Sequence, residues 1–232
     1  MNMTLKPAFG FSGSALKVIA MISMVIDHIA LYLMEHGTLL YETMRCIGRI
    51  AFPVFAFLIA EGFIHTRSRY RYFFTLLGFA VISEIPWYLL NGADGTHNVM
   101  FTLALGVATL MVLENLLQRS LIQGFLWTLG MAGLASWLGV DYEWRGILVI
   151  VIFYLFKEYG DSFPYSRGMQ FFCTFTLMMY YGITGILLAH FVISRYDGTR
   201  GFIHSMLAKY GFYTIYPCLL YTSPSPRDRT RS

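Results

Sequence analysis

Apolar runs of about twenty residues recur along the chain, separated by short polar links. A helix needs about 20 apolar residues to cross the hydrocarbon core of a bilayer, so each run is a candidate transmembrane helix. This pattern predicts an all-α fold, a polytopic transmembrane helical bundle in one domain. The clear runs cover approximately 15–34, 45–64, 73–90, 99–117, 121–140 and 146–156, and a last one starts near residue 210.

The apolar run at 169–193 allows two interpretations. It is either one long tilted helix or two short helices broken near Gly182 and Gly185. Lys and Arg concentrate in cytoplasmic loops, and two passes with a cytoplasmic N-terminus place most of the basic residues on that side. We therefore expect about nine membrane segments, with the N-terminus in the cytoplasm.

The composition supports a membrane protein. Hydrophobic residues make up 56% of the 232 residues and charged residues only 13%, whereas a soluble domain carries about 25% charged residues. The net charge of +4 comes from basic residues spread over short loops, which does not favour a nucleic-acid partner. From this composition we expect the lipid bilayer as partner. The three cysteines and the histidines lack the spacing of a metal or haem site, so we expect no bound metal.

The second apolar run carries charges that a membrane helix rarely tolerates. Arg49 lies about one turn inside its start, and Glu61 lies near its end. A charge at membrane depth costs about 2.5–3.5 kcal/mol, so it normally has a partner or a function. Pro53 removes a backbone donor and is expected to kink the helix. This run alone does not decide between two interpretations of these charges, a structural ion pair beside the kink and a functional site.

Polar residues of neighbouring runs fall at a similar depth under this topology. With a rise of 1.5 Å per residue, Asp27 and His28 lie about 9 Å below the outer end of the first segment. Arg49 lies about 6 Å, and Glu84 about 9 Å, below the outer ends of theirs. This convergence favours a functional site. The outer links add further polar residues at this side: Asn98, Asp141, Glu143 and Arg145.

The chemistry available at this level is acid–base chemistry. The imidazole of His28 titrates near neutral pH in its ordinary state, which suits a general base. Successive helical side chains point about 100° apart, so we expect Asp27 to pair with another helix, with Arg49 as the candidate. Glu84 could orient His28 or share the charge of Arg49. The structural alternative for His28 is a core histidine satisfied by a backbone carbonyl.

Three arginines follow the second run, at positions 67, 69 and 71. They could dock the phosphates of a cytoplasmic donor, but basic charge that sets the topology against lipid headgroups is the favoured interpretation.

The last residues break the apolar pattern. Residues 218–232 resemble a translated sequencing adapter, in which Pro, Ser and Arg abruptly replace aromatic and apolar residues. We expect residues 1–217 to form a single transmembrane domain, truncated at its C-terminus, and 218–232 to be disordered. The alternative is a genuine basic tail.

Several spaced motifs resemble the TraX family over residues 16–217. They are DH at 27–28, GR-x-x-FP-x-F from 48, SEIP from 83, N-x-x-FTL from 98 and YDGTRG from 196. The resemblance implies a multi-pass acetyltransferase of the bacterial inner membrane, named for a conjugation protein that acetylates pilin. Its co-substrate would be cytoplasmic acetyl-CoA, and its acceptor an amine or hydroxyl of an unknown exported molecule at the outer side.

The resemblance assigns roles only as hypotheses. His28 would be the general base, and Asp27, Arg49 and Glu84 would complete the catalytic set. Arg49 or Asn98 would stabilise the carbonyl oxygen as it gains charge. Substrate-binding candidates on the outer side are Asn98, Asp141 and Arg145. The family tends to place a histidine after the last aromatic–proline stretch, where Cys218 stands here.

Two functions other than an enzyme stay open. A transporter or proton relay could use the same intramembrane polar residues, although such folds often show internal repeats and none is convincing here. A non-catalytic scaffold of a conjugation or export complex is the third reading. Replacing His28 separates an enzyme from a scaffold, because only the enzyme needs the imidazole.

Overall fold

The fold is that of a computed structural model, which describes residues 10–162, 164–203 and 206–222. These ranges are α-helical apart from links, 3-10 turns and two isolated β-bridges, so the all-α prediction is confirmed for them. The helices are α1 (Gly13–Leu33), α2 (Leu39–Gly48), α3 (Ala51–His65), α4 (Arg69–Asn91), α5 (Val99–Leu117), α6 (Leu121–Trp137), α7 (Glu143–Tyr159), α8 (Ser166–Met178), α9 (Ile183–Ser194) and α10 (Met206–Thr222).

Four helical runs in the described residues are long and apolar enough to cross a membrane. They are Gly13–Leu33, Leu39–His65, Arg69–Asn91 and Val99–Leu117. The expectation of about nine membrane segments exceeds this number. The reason is length, since the remaining helices, α6 to α10, have only 12 to 17 residues.

The second run is interrupted earlier than expected. α2 ends at Gly48, a turn occupies Arg49 and Ile50, and α3 begins at Ala51. Pro53 is therefore in the first turn of α3, where backbone N–H groups have no helical acceptor and a proline costs little. The break expected at Pro53 lies instead at Arg49.

The run at 169–193 forms two helices. α8 ends at Met178, a 3-10 turn covers Met179–Tyr181, and α9 starts at Ile183. Gly182 separates them with φ of +135°, a conformation that side chains other than glycine rarely adopt. The interpretation as two helices broken near Gly182 is confirmed. At the C-terminus, α10 passes through Pro217 and ends at Thr222, and residues 223–232 lie outside the described residues.

The chain divides into two compact units. Of the described residues, 10–58, 178–203 and 206–212 belong to the first unit, and 59–162, 164–177 and 213–222 belong to the second. In the first unit α2 packs against both α1 and α9. In the second unit α5 is central, because it packs against α4, α6 and α7 and carries buried residues on most of its turns.

The loop after α9 caps the start of α1 within the first unit. The backbone N–H groups of Gly13 and Ser14 donate to the carbonyl oxygens of Thr199 (2.8 Å) and Arg200 (3.0 Å). The side chain of Asp197 shapes the loop, since Oδ1 accepts from both N and Oγ1 of Thr199 at 2.7 Å. The motif YDGTRG at 196–201 thus satisfies N–H groups that a helix start leaves without partners.

We expect Gly201→Ala to destabilise the protein more than Gly198→Ala. Both residues have positive φ, +82° and +79°, so both alanines meet a similar backbone strain of about 1–2 kcal/mol. A Cβ at 201 would also lie 2.7 Å from Cβ of Ser12, whereas nothing lies within 4 Å of a Cβ at 198. Crowding should add about 1–3 kcal/mol for Gly201→Ala alone, measured as the free energy of unfolding in mixed micelles. Equal losses would contradict the close contact with Ser12.

Candidate functional site

The intramembrane carboxylate of the first unit is held by an arginine of α2. Oδ2 of Asp27 lies 2.6 Å from the guanidinium Nη1 of Arg45, and the two side chains are 19% and 18% exposed. The expected pairing with Arg49 is therefore wrong. Helical side chains lean toward the N-terminus of their helix, and Arg45, one turn before Arg49, is the residue that reaches Asp27.

A glycine lets α1 approach the end of α2 at this point. A Cβ at Gly48 would lie 2.5 Å from Cγ of Asp27, so any larger residue would displace that side chain. Ser23, one turn before Asp27, donates its hydroxyl to the carbonyl oxygen of Ile47. The second carboxylate oxygen of Asp27, Oδ1, is buried and has no hydrogen-bond partner among the described residues. The DH and GR motifs thus meet in space through Asp27 and Gly48.

Arg49 lies beside the start of α9. A Cβ on Gly185 would be 2.5 Å from Cβ of Arg49, and one on Gly182 would be 3.6 Å from its Cγ, so the stem of Arg49 packs on this glycine pair. Cys46 and Thr184 link the same helices, with Sγ 3.1 Å from Oγ1. Within the part of the chain that the structure describes, the Arg49 guanidinium makes no ion pair or hydrogen bond.

His28 has a defined tautomer. Its Nδ1 lies 2.9 Å from the carbonyl oxygen of Met24, and a carbonyl only accepts, so Nδ1 carries the proton and the neutral ring has its lone pair on Nε2. Asp27 and Arg45 both act electrostatically on the ring. His65 and His190 show the same contact with the carbonyl four residues earlier, at 2.9 and 2.8 Å. The backbone bond is thus common to these three helical histidines, and His28 differs in lying beside the ion pair of Asp27 and Arg45.

The second unit contains a separate cluster around Glu84. Its Oε1 accepts a hydrogen bond from Nδ1 of His97, and its Oε2 accepts from Nδ2 of Asn98 at 2.6 Å. Asn98 is fully buried and uses its other groups internally: Nδ2 also donates to Ala80 O (2.9 Å), and Oδ1 accepts from Met100 N (3.0 Å) as the N-cap of α5. The SEIP and N-x-x-FTL motifs therefore meet through Glu84 and Asn98.

The link between α6 and α7 joins the same end of the second unit. The backbone of His97 bonds Gly139 O and Asp141 N, each at 2.9 Å. The Asp141 carboxylate accepts from the N–H of Tyr142 at 3.0 Å, and the Arg145 guanidinium stacks on the Trp144 ring at 4.5 Å. Glu84, Asn98 and Asp141 thus belong to one neighbourhood in the second unit. The predicted partners of Glu84 were His28 and Arg49, which belong to the first unit with Asp27, and Glu84 bonds His97 and Asn98 instead.

Sequence reasoning missed two residues of these clusters. Arg45 stands at the start of the second apolar run, four residues before the arginine predicted to pair with Asp27, and His97 stands in a loop without metal-ligand spacing. The signal for His97 was its place directly before the N-cap Asn98, one link after the carboxylate of Glu84. No group of three His, Cys, Asp or Glu that could hold a metal occurs among the residues searched, which are the described ones.

The arginine cluster after α3 is partly engaged in the protein itself. Both Nη atoms of Arg69 bond the carboxylate of Glu114, and the guanidinium lies 4.7 Å from the Phe63 ring centroid. Close by in sequence, Glu61 lies 3.2 Å from Nζ of Lys157. Arg69 therefore serves an internal ion pair rather than a phosphate.

Apolar helices of spanning length with charged side chains placed inside them define a helical membrane protein. The chain belongs to the TraX family, whose model, described as TraX protein, matches residues 12–222.

Two relatives are similar over much of the chain. One is a probable fimbrial assembly protein FimC (serogroup H1) of Dichelobacter nodosus, 32% identical over 229 residues, which cover 89% of this chain and 92% of that protein. The other is an uncharacterized protein of Rickettsia prowazekii (strain Madrid E), 34% identical over 142 residues, or 60% of this chain and 52% of that protein. No solved structure matches the chain.

Proposed function

We propose that this protein is an integral membrane acetyltransferase. It takes the acetyl group of cytoplasmic acetyl-CoA and transfers it to an amine or hydroxyl at the outer side of the bacterial inner membrane, through a multi-pass bundle with a cytoplasmic N-terminus. The observation that carries the proposal is the TraX family match over 12–222, together with the meeting of the family's DH and GR motifs in the first unit. The name of the Dichelobacter relative supports an acceptor that is an exported subunit of a pilus or fimbria.

His28 is the proposed general base. The lone pair on Nε2 accepts the proton of the acceptor amine or hydroxyl as that atom attacks the thioester carbonyl. A bond forms between the acceptor atom and the carbonyl carbon, the carbon–sulfur bond breaks, and the proton held by His28 passes to the departing thiolate of CoA. Asp27 and Arg45 hold α1 against α2, which fixes the direction of the imidazole.

Arg49 is the proposed electrophilic group. It presents a guanidinium without an internal partner among the described residues, and such a charge at membrane depth is retained where it has a function. It would stabilise the negative charge that develops on the carbonyl oxygen. In the second unit Glu84 positions His97 and Asn98. The predicted binding residues for the acceptor are still Asp141, Arg145 and Asn98. Asn98 would act indirectly, through its hydrogen bond to Glu84.

The test follows acetyl-labelled acetyl-CoA in membranes that contain the protein and an acceptor fraction from the same cells. We expect label to pass to the acceptor, and Arg49→Met to lower the rate about 100- to 1,000-fold, as for removal of an oxyanion donor. Arg119→Met is the matched control, because Arg119 is an exposed arginine at the end of α5 and should leave the rate unchanged.

Two results would overturn the proposal. One is label transfer no faster than in membranes that lack the protein, with the protein shown to be folded. The other is an equal rate for Arg49→Met and the parent, which would remove Arg49 from the reaction. Transport of protons or ions in place of transfer would support the relay alternative.

A further inference from the structure

The second unit contains a histidine–carboxylate pair, His97 and Glu84, that takes no chemical step in the proposed transfer. Glu84 accepts from Nδ1–H of His97, so the lone pair of the neutral ring lies on Nε2. No hydrogen bond to Nε2 occurs within the described ranges. His65 and His190, in contrast, place Nδ1 against a carbonyl oxygen of their own helix, at 2.9 and 2.8 Å. A carboxylate fixes the orientation of the His97 ring, and such a fixed ring is a ready hydrogen-bond acceptor.

The ring of His97 forms one wall of a cavity of about 250 Å³. The other walls are apolar and come from α4, α5 and the link between α6 and α7. Phe73 and Leu77 on α4, and Phe101 and Leu105 on α5, are each spaced by one helical turn, so the cavity follows the helix axes. Phe101 and Leu105 lie about 6 Å apart along α5 at 1.5 Å per residue.

The position of the pair decides what the cavity can take. α4 continues from Glu84 to Asn91, about 10 Å further at 1.5 Å per residue, so Glu84 lies inside the span, whereas His97 lies directly before Asn98, the N-cap of α5. A polar head group at that depth needs a hydrogen-bond partner, because lipid tails offer none. His97 Nε2 offers one acceptor, and apolar walls around about 250 Å³ suit one unbranched chain.

We propose that this cavity is a binding site for a single-chain amphiphile with a hydroxyl or amine head group. The head group donates to Nε2 of His97, Glu84 holds the ring in place, and the chain lies along Phe73, Leu77, Phe101 and Leu105. The site involves binding only, so its test is independent of the test for acetyl transfer.

Two photoreactive probes test the site in the full chain, reconstituted in lipid vesicles. The first is a medium-chain primary alcohol with a diazirine near the tail, and the second is the matched alkane, with a methyl group in place of the hydroxyl. We expect the alcohol to label α4 and α5 peptides saturably and the alkane to label them weakly. Unlabelled alcohol of the same length should compete.

One substitution separates the head-group bond from the fold. In His97→Asn the amide NH₂ can still donate to Glu84, whereas Nε2 is lost. The alcohol concentration for half-maximal labelling should rise about tenfold, the equivalent of one hydrogen bond, with the thermal unfolding midpoint unchanged. His65→Asn is the control and should label like the parent. Leu105→Trp, which fills the cavity, should lower labelling by both probes.

Three outcomes would overturn the site. Equal labelling by alcohol and alkane would show a crevice that any lipid tail fills. Unchanged labelling of His97→Asn would remove the head-group bond. Competition by an apolar peptide with a free N-terminus, but not by the alcohol, would show that the occupant is a polypeptide.

Discussion

His28→Ala should lower the rate of acetyl transfer by about 100- to 10,000-fold, the usual contribution of a positioned general base. The imidazole has its proton on Nδ1, which donates to Met24 O, so Nε2 is the nitrogen that can accept a proton. Alanine removes that nitrogen and leaves the carbonyl of Met24 in a helix that already satisfies it. The measurement is the initial rate of label transfer from acetyl-CoA, at saturating and at low acetyl-CoA.

The matched control is His65→Ala. His65 also bonds the carbonyl four residues earlier through Nδ1, but its side chain is 64% exposed and has no proposed part in transfer. We expect its rate to equal that of the parent. A similar loss in both variants would mean that the helix-bound imidazole is a structural feature. An unchanged maximal rate in His28→Ala would remove His28 from the chemistry.

Arg45→Met should destabilise the folded protein by about 1–3 kcal/mol, since it leaves the partly buried carboxylate of Asp27 without its charged partner. Asp27 is the charge left behind, 19% exposed, and its Oδ1 already lacks a hydrogen bond among the described residues. Methionine keeps the length of the stem, so the loss reports the guanidinium. The measurement is the free energy of unfolding in mixed micelles.

The double variant Asp27→Asn with Arg45→Met makes the cause clear. Asparagine carries no charge that needs a partner, so the double variant should recover most of the stability that Arg45→Met loses. Arg49→Met is the comparison, because Arg49 has no ion pair in the described part of the chain and its removal should cost less. If the double variant is as unstable as Arg45→Met, packing of the arginine stem, and not its charge, holds α1 to α2.

The sequence predicted best where local signals agreed. The bounds of α5, Val99–Leu117, were predicted as observed, because an N-capping Asn98 and a polar end enclose a largely apolar run. Family motifs at Asp27 and Gly48 also meet, as motifs of one site should. Apolar length alone overestimated the spans, since several apolar runs, α6 to α9 among them, became helices of 12 to 17 residues.

The sequence could not predict which way a side chain points or how a loop folds back on its helix. Choosing between Arg45 and Arg49 as the partner of Asp27 required the helix to end at Gly48, which an apolar run does not reveal. His97 reaches Glu84 only because the link after α4 folds back to the level of Ala80, where Asn98 bonds. Hydrophobic periodicity carries no information on such a return.

Both units close distant parts of the chain through main-chain contacts. Phe11 bridges Tyr196 in the first unit, and His97 bridges Val140 in the second. Backbone groups are the same in every residue except proline, so the bridging hydrogen bonds themselves do not depend on the side chains of the bridged residues. The loop around Tyr196 is constrained by other residues, since the Asp197 side chain and Gly201 hold its shape, so a substitution there would be tolerated by the bridge and opposed by the turn.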